Sequence, residues 1–410
     1  MRIAIVGAGQ AGVQLATSLR SLGHDGPVVL IGAEPGLPYQ RPPLSKGFLA
    51  GTTPAEELDL RERSYLDGVG IDLRAGRTVV EATLGDEGGT LRLDDGSEVA
   101  FDALALATGA TSRTLPVPGG DLPGVLGLRT VADAEALRAG LAGATDVVVV
   151  GGGFIGLEVA ATARAQGRRV TVVEAADRLL ARVVSEPFSA HVRAWHEAQG
   201  TTILTGAAVS GLTGGPDGVT GVTLADGTTL PADVVVTGIG AVPACDLARA
   251  LGLSVERGIV ADEHGRTSHP RVVAIGDCAV QPHPHEPDRL LGVESVNNAV
   301  EQATAAASVL LGQEPAPRGV PWFWSNQGEL KLQLAGISDG HDERVVRGGG
   351  ERLTVLYYRR GRLIAADVAD NPRDFNAVKS ALAKGATIDP RAAIDSEVPL
   401  RSLISEPVPA

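Results

Sequence analysis

The chain is poor in aromatic residues, cysteine and lysine. Its 410 residues include three Trp, four Tyr, six Phe and two Cys, and only four of its 36 basic residues are Lys. Two cysteines exclude a disulfide framework. Cys245 and Cys278 are too far apart for a Cys-x-x-Cys redox pair and read as small buried apolar residues. No run of about 18 apolar residues occurs, so no transmembrane helix is predicted. A net charge of −13 argues against nucleic-acid or anionic-membrane partners. The apolar start, Met1 to Ala16, holds a glycine motif and nothing like a cleavage site, so it is not read as a signal peptide and a cytoplasmic location is predicted. What is abundant is glycine, at 53 residues, without the every-third-residue period of collagen. A hydrophobic content of 44 % beside 21 % charged residues marks a globular chain. Its length suits two or three domains at about 150 residues each.

The chain contains a repeat. Arg2-Ile-Ala-Ile-Val6 is a short apolar run suited to a buried parallel strand. Gly7-Ala-Gly9-Gln-Ala-Gly12 follows, then a helical stretch to about Leu22 and an apolar strand, Val28 to Ile31, ending near Glu34. The second copy has a strand at Asp146 to Val150, the turn Gly151-Gly-Gly153-Phe-Ile-Gly156 and a helix from Leu157 to Gln166. Its next strand, Val170 to Val173, ends at Glu174. Both copies continue into a hairpin, turning at Asp95-Gly96 and at Asp226-Gly227. Each hairpin leads to an apolar strand ending in Thr-Gly, at Thr108-Gly109 and Thr237-Gly238.

One such glycine motif is weak evidence. Two, each after a strand and before a helix, with an acid 27 or 23 residues on, are what a dinucleotide requires. The first glycine makes the turn, the second lets pyrophosphate approach the backbone, and the third allows close helix–strand packing. The helix N-terminus supplies N–H donors, and the acid accepts hydrogen bonds from ribose hydroxyls. Glu174 favours NADH over NADPH by repelling a 2′-phosphate, an effect that Arg178 softens if it points the same way. The other site is assigned to FAD, because a flavin accepts a hydride from nicotinamide and releases electrons singly. Ala274-Ile-Gly276-Asp277, a strand ending in Gly-Asp, offers a carboxylate to polyol hydroxyls.

Five segments carry a resemblance: Tyr39-Gln-Arg-Pro-Pro-Leu-Ser-Lys46, Gly238-Ile-Gly240, Ala274-Ile-Gly-Asp277, Glu294-Ser-Val-Asn-Asn-Ala299 and Pro321-Trp-Phe-Trp-Ser-Asn-Gln327. On these the chain resembles the NADH-dependent ferredoxin reductase family of FAD flavoproteins, with a glutathione-reductase-like fold. Asn326 stands where the family usually has Asp. The resemblance implies an α/β architecture of two Rossmann-like dinucleotide-binding domains, each βαβ plus a β-meander, and a C-terminal α+β interface domain. An FAD domain spans 1–112 and 242–316, an NADH domain 113–241 and the interface domain 317–410. It places Lys46 at flavin N5, with Glu158 as its ion-pair partner orienting the nicotinamide; these are the candidate catalytic residues. In a chain that otherwise writes Arg, Lys46 suits a site that needs a compact ammonium. Phe154 lies over the flavin until nicotinamide displaces it, beside Ile155. The N-terminus of the helix after Glu294, capped by Ser295 and including Val296, faces the flavin pyrimidine edge. Ala11, Arg41, Val80, Thr108, Gly109, Arg129 and Trp324 complete the FAD contacts, Gly240 those of NADH, and no residue is assigned to a metal.

Absences choose among relatives. Residues 36–60 contain no Cys, so the thiol relays of disulfide reductases and of NADH oxidases and peroxidases are missing, and electrons must leave by the flavin edge. Residues 318–410 carry a net +1 and the remainder −14. A near-neutral, Arg-bearing C-terminal domain suits an acidic partner, with Arg344, Arg347, Arg359, Arg360 and Arg362 as candidate docking charges beside Trp322 and Trp324.

The implied function is a ferredoxin–NAD(+) reductase. Hydride passes from NADH to FAD, then single electrons pass to a [2Fe–2S] ferredoxin serving a cytochrome P450 or ring-hydroxylating dioxygenase. Alternatives are a rubredoxin or quinone reductase of the same fold, or an NADH-sensing flavoprotein resembling apoptosis-inducing factor. A monomer or weak homodimer is predicted. Replacing Glu174 by Arg should lower the preference for NADH over NADPH, measured as the ratio of kcat/KM values. An unchanged ratio would remove the carboxylate from cofactor selection.

Overall fold

A computed structural model describes residues 1–406. The chain divides into two compact units. One comprises Met1–Gln40, Ala55–Thr111 and Val242–Gly319; the other comprises Arg41–Pro54, Ser112–Ala241 and the chain from Val320.

The first unit is built on a five-stranded parallel sheet in the order Val272–Ala274, Ala103–Leu106, Ile3–Val6, Val28–Gly32, Ile71–Ala75. The continuous apolar runs of the inner strands follow from burial on both faces. Helices Gln10–Ser21 and Val296–Leu310 cover one face, where Ala16, Ala303 and Ala307 let their backbones approach closely. An antiparallel meander, Val79–Gly85, Gly88–Leu93 and Glu98–Phe101, belongs to the core of the other face through Leu91, Leu93 and Phe101. The cysteines are buried there at 2 % and 0 % exposure, which bears out their reading as apolar core residues.

The second unit repeats the plan. Its parallel sheet runs Thr202–Thr205, Arg169–Glu174, Asp146–Val150, Val234–Thr237, Val125–Leu126, with a meander of Val209–Gly215, Gly218–Leu224 and Thr229–Pro231. The helix after the glycine turn begins at Phe154, three residues before the predicted Leu157. The segment Arg41–Pro54 joins this unit because Leu44, Phe48 and Leu49 are buried, Arg138 lies 5.1 Å from the Phe48 ring centroid, and the Thr162 hydroxyl donates to the Ser45 carbonyl. An antiparallel sheet follows, ordered Trp322–Gln327, Leu330–Gly336, Arg362–Ala369, Arg352–Arg359, Glu343–Gly349, and helix Pro372–Ala383 packs against it. Among the described residues no helix is long and apolar enough to cross a membrane.

One buried cluster ties this antiparallel sheet to helix Glu186–Ala198. Tyr357 and Asp367 sit diagonally on adjacent strands, and the Tyr357 hydroxyl donates to the Asp367 carboxylate. Ser185, the residue just before the helix, brings its hydroxyl within 2.8 Å of the same phenol. Burial pushes the Asp367 carboxyl up to about 7, so the folded protein holds a proton that the unfolded chain releases near 3.8. Raising the pH through that window therefore costs stability, at roughly 1.4 kcal/mol per unit. Asp367→Asn should remove this dependence. Melting curves at pH 5 and pH 8 should show the variant gaining on the wild type at the higher pH, and a constant difference would mean that Asp367 is ionised in the fold.

Candidate functional site

The two glycine turns share one geometry. Gly7 and Gly151 adopt φ of +113° and +108°, and a Cβ added to them would stand 2.0 Å from the Ala107 carbonyl oxygen and 2.4 Å from that of Gly238. A Cβ at Gly12 or Gly156 would meet the carbonyl oxygen of Gly7 or Gly151 at 1.9 and 2.4 Å. Those four glycines are required by the chain's own packing. The middle pair is not: nothing lies within 4 Å of a Cβ at Gly9, and the nearest atom at Gly153 is an ordinary 3.7 Å away. Space is left there for an incoming group. Neither following helix has a side-chain cap or an acid in its first turn, whereas helix Val131–Gly143 carries a full capping box from Thr130 and Asp133. The first N–H groups at both turns are thus left for an anion, and the residues present fit a dinucleotide pyrophosphate.

In the first unit, the candidate groups converge at the C-terminal ends of parallel strands, where open α/β sheets bind ligands. Gly7–Gly12, Glu34, Thr108–Gly109 and Gly276–Asp277 each follow one of these strands. Glu34 accepts from the Tyr39 hydroxyl. Thr108 commits its hydroxyl proton to the Ala244 carbonyl at 2.6 Å. The Gly276 amide donates to Gln302 at 2.6 Å, and a Cβ at Gly276 would lie 3.0 Å from Ala11. Ser295 caps helix Val296–Leu310 by accepting from the Asn298 amide, with Glu294 exposed just before it. Val80 lies apart from these strand ends, on the meander and 51 % exposed.

In the second unit the structure brings Lys46 and Glu158 together. Lys46 Nζ lies 2.6 Å from Glu158 Oε2 and 3.0 Å from the Pro42 carbonyl oxygen. Glu158 is only 5 % exposed, and a carboxylate so buried must be paired and hydrogen-bonded. Ser45 donates to the same Oε2, and Ser325 donates to Oε1 at 2.6 Å. Both serines lay within motifs singled out from the sequence, but neither was assigned a role there. Arg41 donates to the Arg129 carbonyl, and the Arg129 amide donates to Asp133, so these two predicted contacts are adjacent. Phe154 packs its ring 4.7 Å from Phe323, while Ile155 is 46 % exposed. Glu174 accepts from the Gly152 and Ala176 amides at 2.6 and 2.7 Å, leaving acceptor capacity for a ribose. Gly240 is exposed, and a Cβ there would stand 3.5 Å from Arg182 and 3.9 Å from Arg113, two cations the sequence did not mark. Trp322 and Trp324 stack at 5.3 Å, and Lys379 Nζ lies 4.5 Å from the Trp322 ring centroid.

One arginine is placed otherwise than predicted, and another that the sequence leaves open is assigned by the structure. Arg347 is 4 % exposed: it pairs with Asp374 at 2.9 Å and donates to the carbonyls of Ala393, Asp395, Ser396 and Val398. It locks the C-terminal segment and is not a docking charge, because its strand turns Val345 and Arg347 inward together. Arg344, Arg360 and Arg362 are exposed, and Arg359 is half-buried. Arg178 does not soften the Glu174 site, because its guanidinium donates to the Ala181 and Val184 carbonyls at 2.7 Å each.

The glycine geometry separates packing from binding. Gly9→Ala should leave the apoprotein within about 0.5 kcal/mol of wild type yet reduce the FAD retained on purification. Gly12→Ala should destabilise the apoprotein itself by more than about 2 kcal/mol. Denaturation of the stripped proteins and flavin absorbance per chain measure the two effects.

Comparison with known proteins gives the family and fold of the chain. The pyridine nucleotide-disulphide oxidoreductase model matches residues 1–303, and a reductase C-terminal model matches residues 322–404. The chain is 43 % identical to rhodocoxin reductase of Rhodococcus erythropolis, over 99 % of this chain and 95 % of that one. It is 41 % identical to putidaredoxin reductase of Pseudomonas putida, over 98 % and 96 % of the two chains. Among solved structures it is similar to the covalent putidaredoxin reductase–putidaredoxin complex, with a TM-score of 0.93, 40 % identity, and 98 % and 97 % of the two chains covered. The chain belongs to the pyridine nucleotide-disulphide oxidoreductase family, with the reductase C-terminal domain as its last part.

Proposed function

We propose that this chain is an FAD-dependent NADH:ferredoxin oxidoreductase. The observation that carries the reading is a buried Glu158 paired with a partly exposed Lys46, in a chain with two dinucleotide turns and no accessible thiol. The chemistry FAD supplies when bound is conversion between a two-electron donor, NADH, and a one-electron acceptor. Gly7, Gly9 and Gly12 and the helix they open hold the FAD pyrophosphate, and Glu34 and Asp277 accept from its ribose and ribityl hydroxyls. Ser295 and Val296 present a helix N-terminus, with its positive dipole end, to the flavin. Gly151, Gly153 and Gly156 hold the NADH pyrophosphate, with Glu174 on the ribose and Gly240 allowing close approach. Lys46 and Glu158 orient nicotinamide and flavin, and Phe154 shields the flavin from water. On this reading residues 1–112 and 242–316 serve FAD, 113–241 serve NADH, and the C-terminal domain, 317–410, serves the acceptor.

Burial pushes the Cys278 thiol up, which removes it as a relay and supports direct outward electron transfer. A [2Fe–2S] ferredoxin is the acceptor on this reading; several relatives are named as ferredoxin reductases, which supports a ferredoxin. Trp324 and the exposed Arg344, Arg360 and Arg362 meet it, and a cytochrome P450 or dioxygenase lies downstream. We propose a cytoplasmic monomer or weak homodimer. Steady-state assays with NADH against a [2Fe–2S] ferredoxin, a rubredoxin and a quinone test the proposal. Ferredoxin should give the highest kcat/KM, with NADH preferred over NADPH; faster turnover with rubredoxin or quinone would overturn it.

A further inference from the structure

We infer that Ser325 is a positioning residue for the Lys46–Glu158 pair, its hydroxyl holding the Glu158 carboxylate in the orientation that presents Oε2 to Lys46. This rests on the reading of that pair as the group that orients nicotinamide and flavin. The side chains concerned are enclosed: Ser325, Gln327 and His196 are each 0 % exposed, so no solvent competes for their hydrogen bonds.

Donor and acceptor roles run in one direction along this row. Burial pushes the His196 imidazole pKa down, so the ring is neutral and carries one proton. Its Nδ1 has no partner among the described residues, while Nε2 lies 2.8 Å from Gln327 Oε1. An amide oxygen only accepts, so the proton sits on Nε2. That contact turns the Gln327 amide group toward Ser325, with Nε2 3.3 Å from Oγ. Ser325 Oγ thus accepts from Gln327, and its single proton goes to Glu158 Oε1 at 2.6 Å. On the other oxygen, Oε2 accepts from Lys46 and Ser45. Held at both oxygens, the carboxylate cannot rotate about its terminal bond. Held only at Oε2, it has that freedom. The orientation of Glu158, a residue of helix Phe154–Ala165, is therefore set in part by the strand Trp322–Gln327 of the C-terminal domain, the strand that also carries Trp322 and Trp324.

The scarcity of lysine makes the test direct. Lys46 can be compared with Lys331, Lys379 and Lys384, the three other lysines of the chain, all of them in the C-terminal domain. Limited acetylation of the purified flavoprotein, read lysine by lysine by mass spectrometry, reports how firmly Glu158 holds the Lys46 ammonium. Ser325→Ala should raise the Lys46 rate by about fivefold, leave the other three unchanged and slow reduction by NADH. Ser325→Thr, which keeps the hydroxyl, should restore the wild-type Lys46 rate, and Glu158→Gln should set the upper limit. A wild-type Lys46 rate in Ser325→Ala would overturn the inference, as would a parallel rise at all four lysines, which marks a purely structural role. If Glu158→Gln reacts with NADH at the wild-type rate, the reading of the pair fails instead, and the labelling still decides whether Ser325 positions it.

Discussion

A carboxylate buried to 5 % exposure is the constraint around which the candidate site is organised. An isolated ionised Glu158 in that position is prohibitively costly, so the fold has to deliver compensating donors. It does so from two distant stretches of sequence. The 3-10 turn Pro42–Ser45 supplies Ser45, Lys46 follows it, and the C-terminal sheet supplies Ser325. This explains why the short segment Arg41–Pro54 belongs to the second unit, although both its neighbours in sequence belong to the first. Leu44, Phe48 and Leu49 provide the apolar burial that keeps the polar contacts dry.

The glycine turns show the same economy in backbone form. Four motif glycines are needed because a Cβ would stand 1.9 to 2.4 Å from a carbonyl oxygen, a requirement of the chain's own packing. Gly9 and Gly153 lack that excuse. Their openness, together with uncapped helix starts, is the most direct structural sign that both turns were shaped for a ligand. The repeat therefore extends from sequence pattern to local packing.

Much of the fold was legible because its signals are local. Strand Asp146–Val150 coincides with its predicted limits, and helix Val296–Leu310 begins at the cap expected from Ser295. Apolar runs, a turn glycine and a capping serine act over a few residues and do not depend on what packs against them. Lys46 stood out for a compositional reason, as a lysine in an arginine-writing chain. Arg347 was misread because an alternating strand has two equivalent faces, and only pairing and the helix behind it decide which is buried. Arg178 was left open for a similar reason, since its partners are backbone carbonyls that carry no sequence signal.

The sequence by itself determined that the chain holds two dinucleotide turns, that no cysteine relay exists, and which unusual lysine and glutamate were worth pairing. The first two conclusions rest on residue type and spacing, and the pairing rests on what the family resemblance implies. Tertiary structure decided what completes the pair. Ser45 and Ser325 lie 280 residues apart, and although both fall within marked motifs, nothing local gives either of them a role. Only long-range packing, by burying Glu158 and demanding donors for both its oxygens, gives them a common role.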